Sequence, residues 1–135
     1  MPLLSIFDVS GSGMSAQSIR LNTTASNLAN AENISGNPQE VYKARQPVFA
    51  TVMDNYSNKA AGVRVTNIVE SQAPPQKEYA PNNPLADDQG YVYKPNVNSI
   101  EEMANMISAS RSYQNNVEIM KTAKQMLLTT LRLGQ

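Results

Sequence analysis

The sequence predicts a mainly α-helical chain with a small β module, and three features of its 135 residues indicate this fold class. Apolar residues recur every seven positions near the N-terminus, and they recur at alternating steps of three and four near the C-terminus. Between these segments lie most of the prolines and several short β-branched runs. We therefore expect long terminal helices that pair as a coiled-coil-like inner domain, in residues 1–36 and 98–135, and a β-rich middle module or extended arm in residues 37–97.

The first helix is expected from about Ser5 to Asn30. Ser5 with Asp8 three residues later resembles a capping box, which predicts the start, and Gly36 and Pro38 prevent any continuation. The apolar stripe of this helix consists of Phe7, Met14, Leu21 and Leu28, with Gly11, Ser18 and Ala25 as small residues on the same face. This helix can approach a partner closely, but its two interior glycines make it weak in isolation.

The middle segment has the pattern of short, edge-like strands. We expect one strand from Val41 to Met53, interrupted at Pro47, a second around residues 63–69, and a third at residues 91–93. Six of the eight prolines lie at position 47 or between positions 74 and 95, so a large sheet is excluded.

The C-terminal segment carries the strongest periodic pattern. Ser99 followed by Glu102 predicts a capping box, and Glu101 adds a second carboxylate to the first turn, where the helix dipole favours it. The predicted seam then consists of Met103, Met106, Ser110, Tyr113, Val117, Met120, Lys124, Leu127 and Leu131. About 34 helical residues would extend about 50 Å, so the molecule should be elongated.

The last two turns of this helix are apolar nearly all round. Ile119, Met126 and Leu133 lie to one side of the predicted seam, and Leu128 lies to the other side. A single partner helix covers only one face, so we expect three or more helices to surround this tip, with the additional helices supplied by other chains.

Composition removes many function classes. The chain has no His and no Cys, which excludes disulfides, thiolate nucleophiles, the usual zinc sites and the commonest general base. We predict no catalytic residue, no cofactor and no metal. Eleven basic residues are scattered and balance eleven acidic ones, which argues against a nucleic-acid partner. Charged residues make up only 16%, which suits either a chain that associates or a polar, partly disordered one.

Four features resemble ligand or binding sites, and each has a simpler explanation. Asp87, Asp88 and Gly90 resemble part of a calcium loop, but they lack its other ligands, so we interpret them as a turn. Residues 11–13 could suggest a phosphate loop, but no strand precedes them and no Lys follows. Neighbouring carboxylates point to different faces and cannot flank a substrate. The Met stripe of the last helix is interpreted as core packing rather than as a binding groove.

Several segments resemble the flagellar axial proteins, the rod and hook family. The nine residues TASNLANAE at positions 24–32 resemble the signature at the end of the family's first long helix. Residues 83–98, NPLADDQGYVYKPNVN, are similar to a middle motif of the rod proteins, and residues 108–135 are similar to the C-terminal helix of a proximal rod protein. Residues 6–17 and 70–74 agree with the same group, so residues 37–67 are the least characteristic part.

The resemblance implies a structural subunit of the proximal rod of the bacterial flagellum, a torque-transmitting drive shaft that crosses the periplasm and surrounds the export channel. It also implies export through the flagellar type III apparatus without a cleaved signal peptide. The implied partners are copies of the chain, other rod proteins, the membrane ring or export-gate adaptor at the rod base and the surrounding ring proteins. Neither nucleic acid nor direct membrane insertion is implied.

We expect the assembly interface to use Leu21, Ala25 and Leu28 against Val117, Met120, Leu127 and Leu131, within or between subunits. Asn27 and Asn30 should satisfy backbone groups at the turn that follows the first helix, and Leu127→Asp should block assembly while leaving export intact. The other residues assigned to this interface are Phe7, Met14, Met106, Tyr113, Leu128 and Leu133. Two alternatives stay open: another axial rod protein of this family, and a soluble coiled-coil adaptor or export chaperone.

Overall fold

The structure, a computed structural model, describes residues 2–53 and 60–133 of the chain. In the described residues, one long helix lies at each end of the chain, and four strands lie between them in the sequence. The elements are helix α1 (Pro2–Asn30), strands β1 (Arg45–Met53), β2 (Ala60–Glu70), β3 (Gln76–Tyr79) and β4 (Tyr91–Lys94), and helix α2 (Ser99–Leu133). This confirms the predicted class, a mainly α chain with a small β module whose long terminal helices pack together.

Helix α1 begins earlier than the sequence pattern indicated. It starts at Pro2, so the prediction of a start at the Ser5 capping box was wrong. Proline suits the first helical position, because the amide hydrogen that it lacks would have no partner inside the helix. The predicted end at Asn30 is confirmed, and a backbone hydrogen bond from Ala31 N to Leu28 O closes the last turn.

Strands β1 and β2 form a long antiparallel hairpin, which we call the arm hairpin. Arg45 pairs with Glu70 at its base and Thr51 with Val63 further along, with register shifts after Val48 and Val52. The strand expected from Val41 instead begins at Arg45, and it continues through Pro47 without interruption. A two-stranded sheet leaves one edge of each strand unpaired, so a proline can occupy β1 without breaking a ladder hydrogen bond.

Strands β3 and β4 form a second, smaller antiparallel sheet. The β4 strand was predicted, but β3 was not, because two prolines precede its polar sequence QKEY. The pair is held by an ion pair of 2.6 Å between Lys94 Nζ and Glu78 Oε2, which raises the pKa of Lys94. Within the described residues both sheets have two strands, in agreement with the exclusion of a large sheet.

Helix α2 has 35 residues and therefore extends about 52 Å. Its cap is Asn98 rather than the predicted Ser99: Asn98 Oδ1 accepts hydrogen bonds from the amides of Ile100 and Glu101, at 3.1 and 3.4 Å. Asn is as good a cap as Ser, and it lies one residue earlier in the chain. The predicted length and the acidic first turn are confirmed.

The two helices pack antiparallel. Near the start of α1, Gly11 lies beside the Met120 side chain, whereas further along α1 the Arg20 guanidinium donates to Asn105 Oδ1 at 3.1 Å. The small apolar core lies at the other end of the pair from the α2 tip, where Ala31, Ala44 and Val97 are buried together with Tyr42 packed against them. The end of α1, the entry to β1 and the segment before α2 therefore meet in one place.

Candidate assembly surfaces

The most buried positions of the two helices are occupied by small and polar residues, and half-buried apolar residues such as Met120 lie beside them. On α1 the buried positions include Ser10, Ala16, Thr23, Thr24 and Asn27, and on α2 they are Glu102, Ala109 and Ala123. Ala109 is completely buried, and Gly13 comes so close to Asn116 that a Cβ on the glycine would lie 3.0 Å from Asn116 Oδ1. Small side chains allow the two helices to approach closely, but they bury little apolar area.

The three fully buried positions of α2 lie one residue before three of the predicted seam positions. Met106, Met120 and Leu127 are half-buried in the structure, as the pattern predicted. Ser110 and Val117 are half-buried as well, whereas Met103, Tyr113, Lys124 and Leu131 are exposed. The fully buried positions of α2 are Glu102, Ala109 and Ala123. Met103 is 52% exposed and Leu131 is 61% exposed. The seam was predicted within or between subunits, so contacts of its exposed residues with other chains stay a prediction.

The apolar stripe of α1 is only partly covered within the chain. Phe7, Met14, Leu21 and Leu28 are each half-buried. Toward other chains, the expected close approach at Ser18 and Ala25 stays a prediction, but within the chain both side chains are exposed and do not form the close-approach face. That face is formed instead by residues such as Gly13 and Ala16, which lie toward α2 and the arm hairpin.

The antiparallel arrangement excludes one of the predicted pairings inside the chain. Arg20 lies beside Asn105, so Leu21 and Leu28 lie near the beginning of α2. Leu127 and Leu131 lie in its last turns, next to the start of α1. Contacts of Leu21, Ala25 and Leu28 with Val117, Leu127 and Leu131 are therefore possible only between chains, and there they stay a prediction.

The tip of α2 presents large apolar side chains to solvent. Exposed fractions are 49% for Ile119, 56% for Met126, 46% for Leu128 and 61% for Leu131, and Tyr113 further back is 37% exposed. A groove of about 510 Å³ runs beside the tip, lined by Ile6 of α1 together with Ile119, Ala123 and Met126 of α2. The side chain of Leu133, also assigned to the interface, lies outside the described residues. The chain thus leaves this apolar end uncovered.

Two asparagines near the end of α1 form hydrogen bonds to backbone groups. Asn30 does so where it was predicted to, and Asn27 does so at a different segment of the chain. Asn30 Nδ2 donates to Ser26 O at 2.8 Å, which satisfies a carbonyl in the last turn, as expected. Asn27 instead reaches across to the arm hairpin: its Nδ2 donates to Arg45 O at 2.8 Å, and its Oδ1 accepts from Arg45 N at 2.9 Å and from the Tyr42 hydroxyl at 2.9 Å. Asn27 is 1% exposed, so it fixes the hairpin base to α1 from inside.

A third asparagine clamp was missed in the sequence. Asn96 Oδ1 accepts from Ala44 N at 2.8 Å, and Asn96 Nδ2 donates to Ala73 O at 2.7 Å, so one side chain joins the segments on either side of the arm hairpin. A side-chain amide that bonds to backbone segments distant in the sequence leaves no periodic signal. Its position in the Asn-rich stretch before α2 was the only available indication.

The acidic residues have structural roles and do not gather into a site. Asp87 Oδ1 accepts hydrogen bonds from the backbone amides of Tyr91 and Gln89. These bonds lower the pKa of Asp87, and the bond from Tyr91 has the largest effect. This turn, in which Gly90 has a φ of 80°, confirms the predicted alternative to a calcium loop. Glu101 and Glu118 lie on one helix about 25 Å apart. In the described ranges no three acidic side chains cluster as metal ligands would.

Comparison with known proteins decides the family. The protein-family model described as flagella basal body rod protein matches residues 7–32. A second family model, described as flagellar basal body rod FlgEFG protein C-terminal, matches residues 88–133. The flagellar basal-body rod protein FlgC of Escherichia coli O157:H7 is 53% identical over 137 residues, which span the whole of both chains. The chain belongs to the flagellar basal-body rod protein family. Relatives of the same description in Salmonella typhimurium strain LT2 and Yersinia enterocolitica are 52% and 51% identical, again over both full lengths.

Membership of the rod family confirms the resemblance to axial rod and hook proteins that the sequence motifs indicated. The matched segments cover nearly all of α1 and all of α2 within the described range, together with β4. Neither described helix contains a stretch that is long and apolar enough to cross a membrane.

Proposed function

We propose that this chain is a structural subunit of the proximal rod of the flagellar basal body, and that it works by packing its helix pair against the helices of neighbouring subunits. The observation that carries the proposal is the distribution of side chains on α2. The fully buried positions of α2 are small or polar, and Met106, Met120 and Leu127 are half-buried. The apolar residues near its end are exposed: Ile119, Met126, Leu128 and Leu131.

In an autonomous helical hairpin the largest apolar side chains face the partner helix and are buried, whereas here four large apolar side chains toward the end of α2 are exposed. A soluble monomer rarely leaves such residues together on its surface. Fully burying one Leu or Ile side chain stabilises a structure by about 1.5 to 3 kcal/mol. Covering the four tip residues with helices of other subunits therefore supplies a large driving force for assembly that is absent in the free chain.

The proposed partners are copies of this chain and other rod proteins, which would provide helices for the tip. The proposed partners also include the membrane ring or export-gate adaptor at the rod base and the ring proteins that surround the rod. The proposed location is the rod where it crosses the periplasm, reached through the flagellar type III export apparatus. Membership of the rod family supports each of these assignments.

Torque passes along a shaft only where contacts between subunits resist sliding. Interlocked apolar side chains resist it through close packing, and buried amide hydrogen bonds fix the register. This chain has both kinds of contact available: exposed apolar residues on α2, and asparagine clamps that hold the arm hairpin and the helices together. The proposed role is mechanical, and it requires no catalytic residue.

Leu131→Asp tests the proposal more sharply than the Leu127 substitution, because Leu127 is half-buried within the chain and Leu131 is 61% exposed. A charge at Leu131 leaves the isolated chain intact but cannot be buried in an assembled tip without a large desolvation cost. We expect cells that carry Leu131→Asp as their sole copy to export the protein and to lack complete rods. Export is measured by the amount of protein in the periplasmic fraction, and rods by electron microscopy of basal bodies.

The matched control is Gln125→Asp, which places the same charge at an exposed polar position of the same helix. We expect this variant to swim. Working rods built with Leu131→Asp would contradict the proposed burial of the tip, and absence of the wild-type chain from purified basal bodies would contradict the proposed function itself.

A further inference from the structure

The sequence Gly11-Ser12-Gly13 in α1 is costly for a helix and calls for an explanation. Each glycine in a helix interior destabilises it by an amount equivalent to about a fivefold change in the helix–coil equilibrium relative to alanine. The two neighbouring glycines do not have the same surroundings. A Cβ on Gly11 would be in ordinary contact, 3.9 Å from Met120 Cε, whereas a Cβ on Gly13 would crowd the Asn116 amide at 3.0 to 3.2 Å.

On the other side of the same turn, α1 meets the arm hairpin. A Cβ on Gly62 of β2 would lie 2.5 Å from Ser12 Oγ, so the two backbones approach more closely there than side chains would allow. The Ser12 hydroxyl is both a hydrogen-bond donor and an acceptor: it donates to Val9 O at 2.8 Å and accepts from Val63 N at 3.1 Å. One side chain thus joins the backbone of the helix to the backbone of the strand.

Ser12 is the second of two attachment points. Asn27 holds the base of the arm hairpin at Arg45, and Ser12 holds β2 at Val63, about 22 Å away along α1. A rigid ribbon that is attached at one point can swing, but attachment at two distant points on one helix fixes its direction. At the Ser12 point, Gly13 also brings α2 into contact, so three elements meet within a single turn.

We propose that Ser12 is a positioning residue that holds the arm hairpin in a fixed direction on the helix pair in the assembled rod. The inference rests on the proposed function, and it adds that the hairpin and the helices move as one body under load. Force that enters through the exposed hairpin is then delivered to α1 and α2 at this joint.

The chain has no cysteine, which allows a direct test by crosslinking. A Cβ on Gly62 lies 3.2 Å from the Ser12 Cβ, so a small shift reaches the separation of about 3.5 to 4.5 Å found in disulfides. The variant is Ser12→Cys with Gly62→Cys. Its control is Ser12→Cys with Val69→Cys, since Val69 pairs with Gln46 at the hairpin base, far from Ser12. Both are expressed as the full chain, and isolated basal bodies are oxidised and analysed by mass spectrometry.

We expect most of the Ser12/Gly62 chains in basal bodies to be crosslinked internally, and the control chains to stay reduced. Basal bodies that contain the Ser12/Gly62 variant without the crosslink would overturn the inference while leaving the proposed function intact. Absence of the wild-type chain from basal bodies would instead remove the proposed function.

If the Ser12/Gly62 variant does not enter basal bodies, a second measurement tests the role of Ser12. Ser12→Ala removes the hydroxyl, and Ser12→Thr keeps it. We expect Ser12→Ala cells to lose swimming speed in viscous medium, where the load on the shaft is high, and Ser12→Thr to restore it. A merely structural role for this position would impair motility equally in thin medium. Unchanged swimming of Ser12→Ala under load, or its equal loss in both media, would overturn the inference.

Discussion

At the scale of the residue, the buried amides organise this chain more than its apolar side chains do. Asn27 is the largest fully buried side chain apart from Pro95, and it satisfies both backbone groups of Arg45. Without it, the Arg45 amide and carbonyl would lose their partners at a place that is partly closed to water. An unsatisfied buried group costs about 1 to 3 kcal/mol.

Asn27→Ala is therefore expected to lower the free energy of unfolding by about 2 to 4 kcal/mol, because two backbone groups lose their partner. Denaturant unfolding of the purified chain measures this change. Asn33→Ala is the control: Asn33 is exposed, its amide bonds only to Asn30, and we expect less than about 0.5 kcal/mol. Equal effects of the two substitutions would contradict the assignment of Asn27 as the clamp.

At the scale of the element, the sequence predicted what depends on local pattern and missed what depends on the neighbouring element. The extent of α2 and the end of α1 follow from capping residues, periodicity and breakers, and they were predicted. Strand β3 was missed because its pairing partner supplies its stability, through contacts such as that between the Tyr79 and Tyr91 rings. The predicted seam of α2 includes both half-buried and exposed residues, and a periodic pattern cannot tell which apolar residues face their own chain and which face another.

The unequal surroundings of the two glycines give a prediction about helix pairing. Gly11→Ala gains helix propensity without a clash and should stabilise the chain by about 1 kcal/mol. Gly13→Ala gains the same propensity but must displace Asn116, whose Nδ2 is held by Ser112 O at 2.8 Å. We therefore expect Gly13→Ala to be no more stable than wild type. Thermal unfolding followed by circular dichroism measures both, and a more stable Gly13→Ala than Gly11→Ala would contradict the described packing.

At the scale of the whole molecule, the helix pair of a free chain has little to hold it together away from the small core. Its seam buries small residues, and among the described residues the buried Gln17 Oε1 has no hydrogen-bond partner. The apolar side chains of the tip, which could supply more stability, are exposed. Local stability should therefore be lowest at the tip, where few apolar contacts are made.

We expect the purified chain to be monomeric at low concentration and to have less helix than the structure, in which α1 has 29 residues and α2 has 35. Circular dichroism measures the helix content, and sedimentation measures the mass. A fully helical, stable dimer would favour the alternative class, a soluble coiled-coil adaptor or export chaperone. Addition of a stabilising osmolyte should raise the helix content, because it favours burial of apolar surface.

The antiparallel pairing of α1 and α2 has a practical consequence for anyone who wishes to label this protein. Since Gly11 lies beside Met120, the first turns of one helix and the last turns of the other share one end of the molecule, where Leu128 and Leu131 protrude. A fluorescent domain fused before or after the chain would crowd that same end. The exposed turn near Asn82, on the β3–β4 side, offers a site for a small epitope well away from it.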